Sequence, residues 1–132
     1  MKEPSNRKPK QLLLDTNFFL APFQTGINIF SELERIMPEP FELMTITPVK
    51  KELEKIIKSG KGDDKIAARL GTELARNIKV VDAEGIGDQA IIDYAKSNKI
   101  IVATNDSALR KELTKLKTRT IFIRNNSKLE IE

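Results

Sequence analysis

The chain carries four acidic residues at or near the predicted ends of separate secondary-structure elements: Asp15, Glu52, Asp88 and Asp106. Asp15 follows an apolar run at 12–14 and Asp106 follows another at 100–104, so both lie at the carboxyl ends of predicted buried strands, where open α/β sheets bind their ligands. Carboxylates that converge repel one another and therefore bind protons or a hard divalent cation such as Mg²⁺ or Mn²⁺. With such a cation, the expected chemistry is hydrolysis of a phosphodiester by water that the cation activates.

Each of these acids also has a purely structural interpretation. Asp15 and Asp106 precede predicted helices and could cap them, although neighbouring asparagines are rival caps. Glu52 could be an ordinary surface glutamate, and Asp88 could be a first-turn acid that the helix dipole favours. The four residues together are harder to explain in this way than any one of them alone.

Helical geometry distinguishes the acids on helices. Glu52 lies about 85° from the centre of the apolar face of the helix predicted over 47–58, so it flanks the core. Asp88 falls within the apolar face of the helix predicted over 88–97, where a lone carboxylate is costly to desolvate. Asp93 points to the opposite side of the same helix and is predicted to be exposed.

The composition limits the chemistry that the chain can perform. The 132 residues suit one domain, with 1–10 as a flexible basic arm and 11–132 as the folded domain. The absence of cysteine and histidine excludes disulfides, thiolate catalysis, zinc–thiolate sites and histidine bases. A net charge of +4 is compatible with a polyanionic partner. No segment resembles a signal peptide or a membrane span, so a cytoplasmic protein with no membrane contact is expected.

The hydrophobic pattern predicts strands that alternate with helices. The predicted strands cover 11–15, 41–46, 79–81, 100–104 and 118–124, with 128–132 as a sixth, edge strand after a turn at 125–127. The predicted helices cover 17–23, 27–37, 47–58, 63–75, 88–97 and 105–117. This alternation indicates an α/β domain of three layers, with helices on both faces of a central, mostly parallel sheet of about five strands.

Helix ends and faces follow from individual residues. Pro22 and Gly26 are predicted to interrupt the first helical segment, and Thr47 is predicted to cap the helix that Pro48 begins. Asp63 or the adjacent Asp64 is predicted to cap the next helix. The apolar stripe of that helix keeps the helical period and predicts its packing face: Ile66, Ala67, Leu70, Leu74 and Ala75.

In their order and spacing, the acidic motifs resemble those of PIN domain nucleases. The resemblance covers about residues 11–124. This part of the chain is similar to PIN domains of the ribosomal-RNA-processing type and to toxin nucleases of toxin–antitoxin pairs. The matching segments are Leu-Leu-Leu-Asp15-Thr16-Asn17, Glu52 on the helix that Thr-Pro initiates, Gly-Ile-Gly-Asp88, and Val-Ala-Thr104-Asn105-Asp106.

The resemblance implies cleavage of single-stranded RNA with one or two Mg²⁺ or Mn²⁺ ions. Asp15 would be the central metal ligand, and Asp88 and Asp106 would help to hold the ions. Glu52 would bind metal or orient the attacking water. Ribosomal RNA, an antitoxin protein and a second copy of the chain are the partners that the resemblance implies.

Other side chains are expected to support this site. Thr104 and Asn17 would orient the carboxylates through hydrogen bonds, as the resemblance implies. Arg110, Lys111 and Lys51 are the first candidates for contact with RNA phosphates because they neighbour the acids in sequence. Further candidates are Lys50, Lys61, Lys65 and Arg69.

Gly87 departs from the family pattern, because many relatives have a second acid immediately before the third motif acid. Metal is therefore expected to bind more weakly in this chain. Asp82 and Glu84 lie upstream and could compensate, although solvated loop positions are the favoured interpretation.

Two other functions fit parts of the sequence. Gly87 and the basic arm would suit a non-catalytic RNA-binding or ribosome-assembly module on the same fold. Asp15 at a strand end could also be the nucleophile of an acyl- or phosphoryl-transfer enzyme. Asn17 argues against this alternative, because phosphatases of the haloacid-dehalogenase type place an aspartate there as the general acid.

Overall fold

The computed structural model describes residues 8–132. Its strands are β1 (Lys10–Leu14), β2 (Phe41–Ile46), β3 (Lys79–Val81), β4 (Ile100–Ala103), β5 (Thr120–Arg124) and β6 (Lys128–Ile131). Its helices are α1 (Thr16–Thr25), α2 (Ile29–Ile36), α3 (Thr47–Ser59), α4 (Asp63–Ala75), α5 (Gly87–Ser97) and α6 (Ser107–Lys115). Most of the predicted basic arm lies outside the described residues, and its last residue, Lys10, begins β1.

The six strands form one sheet in the order β3-β2-β1-β4-β5-β6, parallel except for β6, which runs antiparallel to β5. The α/β class and the mostly parallel sheet are confirmed, and the sixth edge strand is present. Leu14 of β1 pairs with Ala103 of β4 in register. The residues that follow these two central strands therefore leave the sheet side by side at its carboxyl edge.

The centre of the sheet explains the continuous apolar runs in the sequence. Leu12, Leu13 and Leu14 are fully buried, as are Val102 and Ala103 of β4. Strands covered by helices on both faces have no solvent side and therefore no polar alternation. No helix within residues 8–132 is long and apolar enough to cross a membrane.

The outer edge of β6 is closed by two side chains of α2. The Leu129 N–H donates to Glu32 Oε1 at 2.9 Å, and Arg35 Nη2 donates to the Leu129 carbonyl at 3.0 Å. The hydrogen bonds from Arg35 and from Leu129 lower the pKa of Glu32 to about 2. These contacts occupy backbone groups that an open edge strand would offer to another strand.

Three helix starts and ends differ from the sequence prediction. Pro22 lies inside α1, which continues to Thr25 and is capped at Gly26. Thr47 is the first residue of α3 instead of its cap, and its hydroxyl exchanges hydrogen bonds of 3.1 Å with the backbone of Ala83. Gly62 precedes α4, so Asp63 and its neighbour lie in the first turn, where the helix dipole still favours them.

The packing face of α4 also differs from the predicted stripe. Ile66 and Leu70 are 57% and 41% exposed, whereas Ala67, Gly71 and Ala75 are buried. A Cβ atom at Gly71 would lie 2.9 Å from the backbone oxygen of Phe19 in α1. The two helices therefore approach each other through small residues. These small residues form the buried face of α4, and the larger side chains of Ile66 and Leu70 lie at its margin.

We expect Gly71→Ala to lower the free energy of unfolding by about 1 kcal/mol. The added methyl group overpacks the α1–α4 contact by about 1–3 kcal/mol, which exceeds the gain in helix propensity of about 1 kcal/mol. Urea unfolding measures the difference, with Arg69→Ala on the exposed side of α4 as the control. Equal or greater stability of Gly71→Ala would show that the helices can separate without cost.

Candidate functional site

Asp15 lies between the end of β1 and the start of α1, and it is only 8% exposed. One carboxylate oxygen accepts the Thr16 N–H at 2.7 Å, and the other accepts the Thr104 hydroxyl at 2.7 Å and, weakly, the Asn17 amide at 3.5 Å. Burial raises the pKa of Asp15, opposed by the Thr104 and Thr16 hydrogen bonds. The negative charges of Glu52 and Asp106 raise it further.

Asp106 takes the corresponding position after β4. Its Oδ1 caps α6 by accepting the N–H groups of Ala108 at 2.9 Å and Leu109 at 3.1 Å. Its own N–H donates to the Thr104 hydroxyl at 3.1 Å. The capping interpretation is therefore confirmed for both Asp15 and Asp106. Capping does not exclude a second role, because each carboxylate oxygen has two lone pairs.

Glu52 reaches the same edge from α3. Its side chain is exposed, and Oε1 accepts the Thr16 hydroxyl at 3.4 Å. Thr16 is not among the site residues predicted from the sequence, although it directly follows the aspartate at the end of a predicted strand. Glu52 therefore lies at the margin of the core, as its helical position predicted.

Asp88 is exposed, which corrects the prediction that it lies within the apolar face of its helix. It is the second residue of α5 and precedes all of the buried residues of this helix, which are Ala90, Ile91 and Ala95. The pKa of Asp88 is raised to about 6, first by partial burial, then by the adjacent Asp106 carboxyl, and finally by the charges of the other two acids.

Thus the four predicted acids come from four different connections or helices and act electrostatically on one another at the carboxyl edge of the sheet. Within residues 8–132, no three acidic side chains stand as a ready ligand set for one metal ion. The donors nevertheless fit Mg²⁺ or Mn²⁺ in chemical type, because every one is a carboxylate oxygen. Burial is the main cause of the raised pKa values of Asp15 and Asp88, and the neighbouring acids raise both pKa values further.

A hydrogen-bonded network fixes the backbone under the acids. The buried Thr104 hydroxyl connects Asp15 to the Asp106 backbone, as described above. Asn17 accepts the Asn105 N–H at 3.3 Å, and the Asn105 side chain accepts the Ile123 N–H of β5 at 2.8 Å. The sequence indicated Asn105 only as a rival helix cap, because its partner in β5 is distant along the chain.

The three basic candidates differ in availability. Lys51 and Lys111 are exposed. The guanidinium of Arg110 lies 3.8 Å from the centroid of the Phe122 ring and 3.0 Å from Glu132 Oε1. RNA would have to compete with these contacts for Arg110, so Lys111 and Lys51 are the better placed of the three.

The departure at Gly87 has a conformational explanation. Its backbone is left-handed, with φ of 60°, a conformation that a side-chain-bearing residue adopts with strain. Asp82 and Glu84 are exposed in the preceding loop, as the favoured interpretation of a solvated loop predicted.

Comparison with known proteins places this arrangement in a family. A family model described as a PIN-like domain matches residues 12–126. The chain is 37% identical over 125 residues to Ribonuclease VapC4 of Methanocaldococcus jannaschii, covering 92% of this chain and 95% of that protein. It is 32% identical over 107 residues to Ribonuclease VapC9 of Archaeoglobus fulgidus, covering 81% and 78% respectively.

The fold has a solved counterpart in the PIN domain endonuclease Utp24, with a TM-score of 0.75 and 24% sequence identity. The match covers 98% of this chain and 93% of the Utp24 chain. At that identity the similarity concerns the fold, which agrees with the sheet and layers described above. The family model and the two relatives extend over most of the sequence, and this chain therefore belongs to the PIN-like domain family.

Proposed function

We propose that this protein is a metal-dependent endoribonuclease that hydrolyses phosphodiester bonds of single-stranded RNA. The observation that carries the proposal is that Asp15 and Asp106 follow paired, neighbouring strands and are joined through the buried Thr104 hydroxyl. The electrostatic influence of Glu52 and of Asp88 on this pair supports it. The relatives of similar length that are named ribonucleases support the same reaction.

Asp15, Asp88 and Asp106 would hold one or two Mg²⁺ or Mn²⁺ ions, and Glu52 would bind metal or orient water. When bound, such an ion supplies an activated water as nucleophile and neutralises charge on the departing oxygen. Thr104 holds the Asp15 carboxylate and the Asp106 backbone in a fixed relation. Asp15 and Asp106 therefore need little reorganisation when substrate arrives, which favours electrostatic catalysis.

The exposed side of the site suits a chain-like substrate. Glu52 and Asp88 are exposed and Asp15 is buried, so an RNA strand at the carboxyl edge would meet Glu52 and Asp88 first. Lys111 and Lys51, which are exposed and neighbour the acids in the sequence, would neutralise its phosphates. Ribosomal RNA, an antitoxin protein and a second copy of the chain are proposed as partners on the strength of the family resemblance alone.

Removal of divalent metal tests this function directly. We expect purified protein to cleave a labelled single-stranded RNA with Mg²⁺ or Mn²⁺, to lose the activity in EDTA, and to regain it when excess Mg²⁺ is added. The variant Asp93→Asn, which removes an exposed acid of α5 away from the site, is the matched control and should behave as wild type. Cleavage that persists in EDTA would contradict the proposal, and RNA binding without cleavage would favour the non-catalytic module.

A further inference from the structure

Two adjoining cavities open at the amino edge of the sheet, the end opposite the acids. Their volumes are about 710 and 250 Å³, and Lys10, Glu39 and Lys99 line both. The smaller cavity has an apolar floor that includes Met37 and Ile101. Five basic side chains line the pair, and we call them the basic amino edge: Lys8, Lys10, Lys99, Lys117 and Arg119.

The basic amino edge concentrates positive charge at the starts of neighbouring strands. Lys10 begins β1, Lys99 directly precedes β4 and Arg119 directly precedes β5, three strands that are adjacent in the sheet. Neighbouring strands are about 4.8 Å apart, so these like charges repel one another. Within residues 8–132, none of the three has an ion-pair partner. Two acids, Glu39 and Glu42, also line the cavities, which leaves an excess of three positive charges.

Lys117 occupies a backbone position that normally favours glycine. It follows the cap of α6 with a left-handed backbone, φ 62°. The Lys117 N–H bonds to the Thr114 carbonyl and the Thr118 N–H to the Leu113 carbonyl, both at 2.9 Å. This pair of bonds defines a Schellman motif, in which glycine is usual because a residue with a side chain adopts the left-handed conformation with strain. The chain therefore keeps a lysine at the cavity despite a conformational cost.

The carboxylates of the proposed active site do not themselves attract RNA. They repel phosphates, so binding energy must come from bound cations, from Lys51 and Lys111 near the acids, and from basic side chains elsewhere on the surface. Strands of four or five residues at about 3.3 Å per residue place the two edges roughly 15 Å apart, before the connecting loops are counted. A folded RNA spans that distance, whereas a strand of about three nucleotides, at roughly 3.4 Å per stacked nucleotide, is too short to bridge the two edges.

We propose that the basic amino edge is a second RNA-binding surface, which binds phosphates of RNA segments outside the cut site. This inference rests on the proposed function for its choice of RNA as the polyanion. It makes long or structured RNA the preferred substrate class. The smaller cavity, with cations around an apolar floor, has the polarity that a nucleotide of such a segment requires.

The test compares two RNAs and two pairs of substitutions. Binding of a hairpin of about 40 nucleotides is measured across a salt series in the Asp15→Asn background, so that the RNA stays intact. Cleavage of a single strand of about 3 nucleotides is measured in the otherwise wild-type background. Lys99→Gln with Arg119→Gln removes two exposed cations of the basic amino edge. Lys55→Gln with Lys58→Gln on α3 removes two exposed cations outside both cavities and is the control.

We expect the amino-edge pair to weaken binding of the hairpin about tenfold and to reduce the salt dependence of its affinity, because phosphate contacts are lost. Cleavage of the short RNA in an otherwise wild-type background should not change, because that reaction needs only the acidic site. Lys117→Gly should raise the unfolding temperature and still weaken hairpin binding, a combination that misfolding cannot produce. Unchanged hairpin affinity in both variants would overturn the proposal.

Failure of the proposed function gives a different result. If wild type binds the hairpin through the basic amino edge but cleaves neither RNA, the second surface stands and the nuclease does not. If wild type cleaves the short RNA and the amino-edge pair binds the hairpin like the control, the nuclease stands. The surface would then suit an acidic protein instead, and the present inference would be wrong.

Discussion

Asp15→Asn is expected to lower RNA cleavage about a thousandfold and to leave the unfolding temperature of the metal-free protein equal or higher. Asparagine has nearly the same shape, and its amide oxygen can still accept the Thr16 N–H that caps α1. Its amide nitrogen can donate to the Thr104 hydroxyl, which accepts the Asp106 N–H as before. The geometry around the site should therefore survive, and only the charge is removed.

The stability expectation follows from the sign of the pKa shift of Asp15. Burial raises its pKa in the folded protein above the ordinary value, so the contribution of this group to stability falls as the pH rises through the folded pKa. Above the folded pKa, the ionised carboxylate therefore destabilises the metal-free fold. Replacing it with a neutral amide removes that cost together with the repulsion from Glu52 and Asp106.

Two measurements separate this expectation from the capping interpretation. Cleavage of labelled RNA with Mg²⁺ gives the activity, and thermal unfolding in EDTA followed by circular dichroism gives the stability. Asp93→Asn makes the same chemical change at an exposed site and should alter neither. If Asp15 only caps α1, Asp15→Asn will keep full activity, because asparagine is as good a cap as aspartate.

Features that depend on local sequence were predicted well. The buried runs of β1 and β4 and the alternation with helices indicated the parallel sheet, because period and composition report which faces are covered. The same reasoning placed Asp15 and Asp106 at the carboxyl ends of buried strands, and the register of Leu14 with Ala103 shows that these two strands are neighbours. The structure confirms that both residues cap helices, and their role in a metal site stays a prediction.

Features that depend on distant partners were predicted poorly. The helical period identifies residues on one side of α4 but not how near α1 approaches, so the close contact at Gly71 and the exposure of Ile66 could not be read from it. For Asp88, the angle around the helix predicts burial, but this residue lies near the start of α5, beyond the edge of the core. The stacking of Arg110 on Phe122 joins α6 to a later strand, and no local pattern indicates it.

The second large effect on RNA cleavage is expected at Thr104, which positions Asp15 and Asp106 and does not itself react. It is fully buried, and its hydroxyl donates to Asp15 at 2.7 Å while accepting the Asp106 N–H at 3.1 Å. Valine has the same shape but can do neither. Thr104→Val therefore removes one hydrogen-bond partner from the Asp15 carboxylate and one from the Asp106 N–H. The two acids are then no longer held in a fixed relative position.

We expect Thr104→Val to lower kcat about 10- to 100-fold with little change in KM, and to lower the free energy of unfolding by about 1–3 kcal/mol. Thr104→Ser retains the hydroxyl and should restore most of kcat. Thr45→Val is the matched control, because Thr45 is equally buried and its hydroxyl bonds to the Leu14 carbonyl at 2.8 Å. It should lose comparable stability but far less kcat. If both valine variants lose activity in proportion to their stability, Thr104 is only a structural residue, because a group that orients the carboxylates must affect turnover beyond its effect on folding.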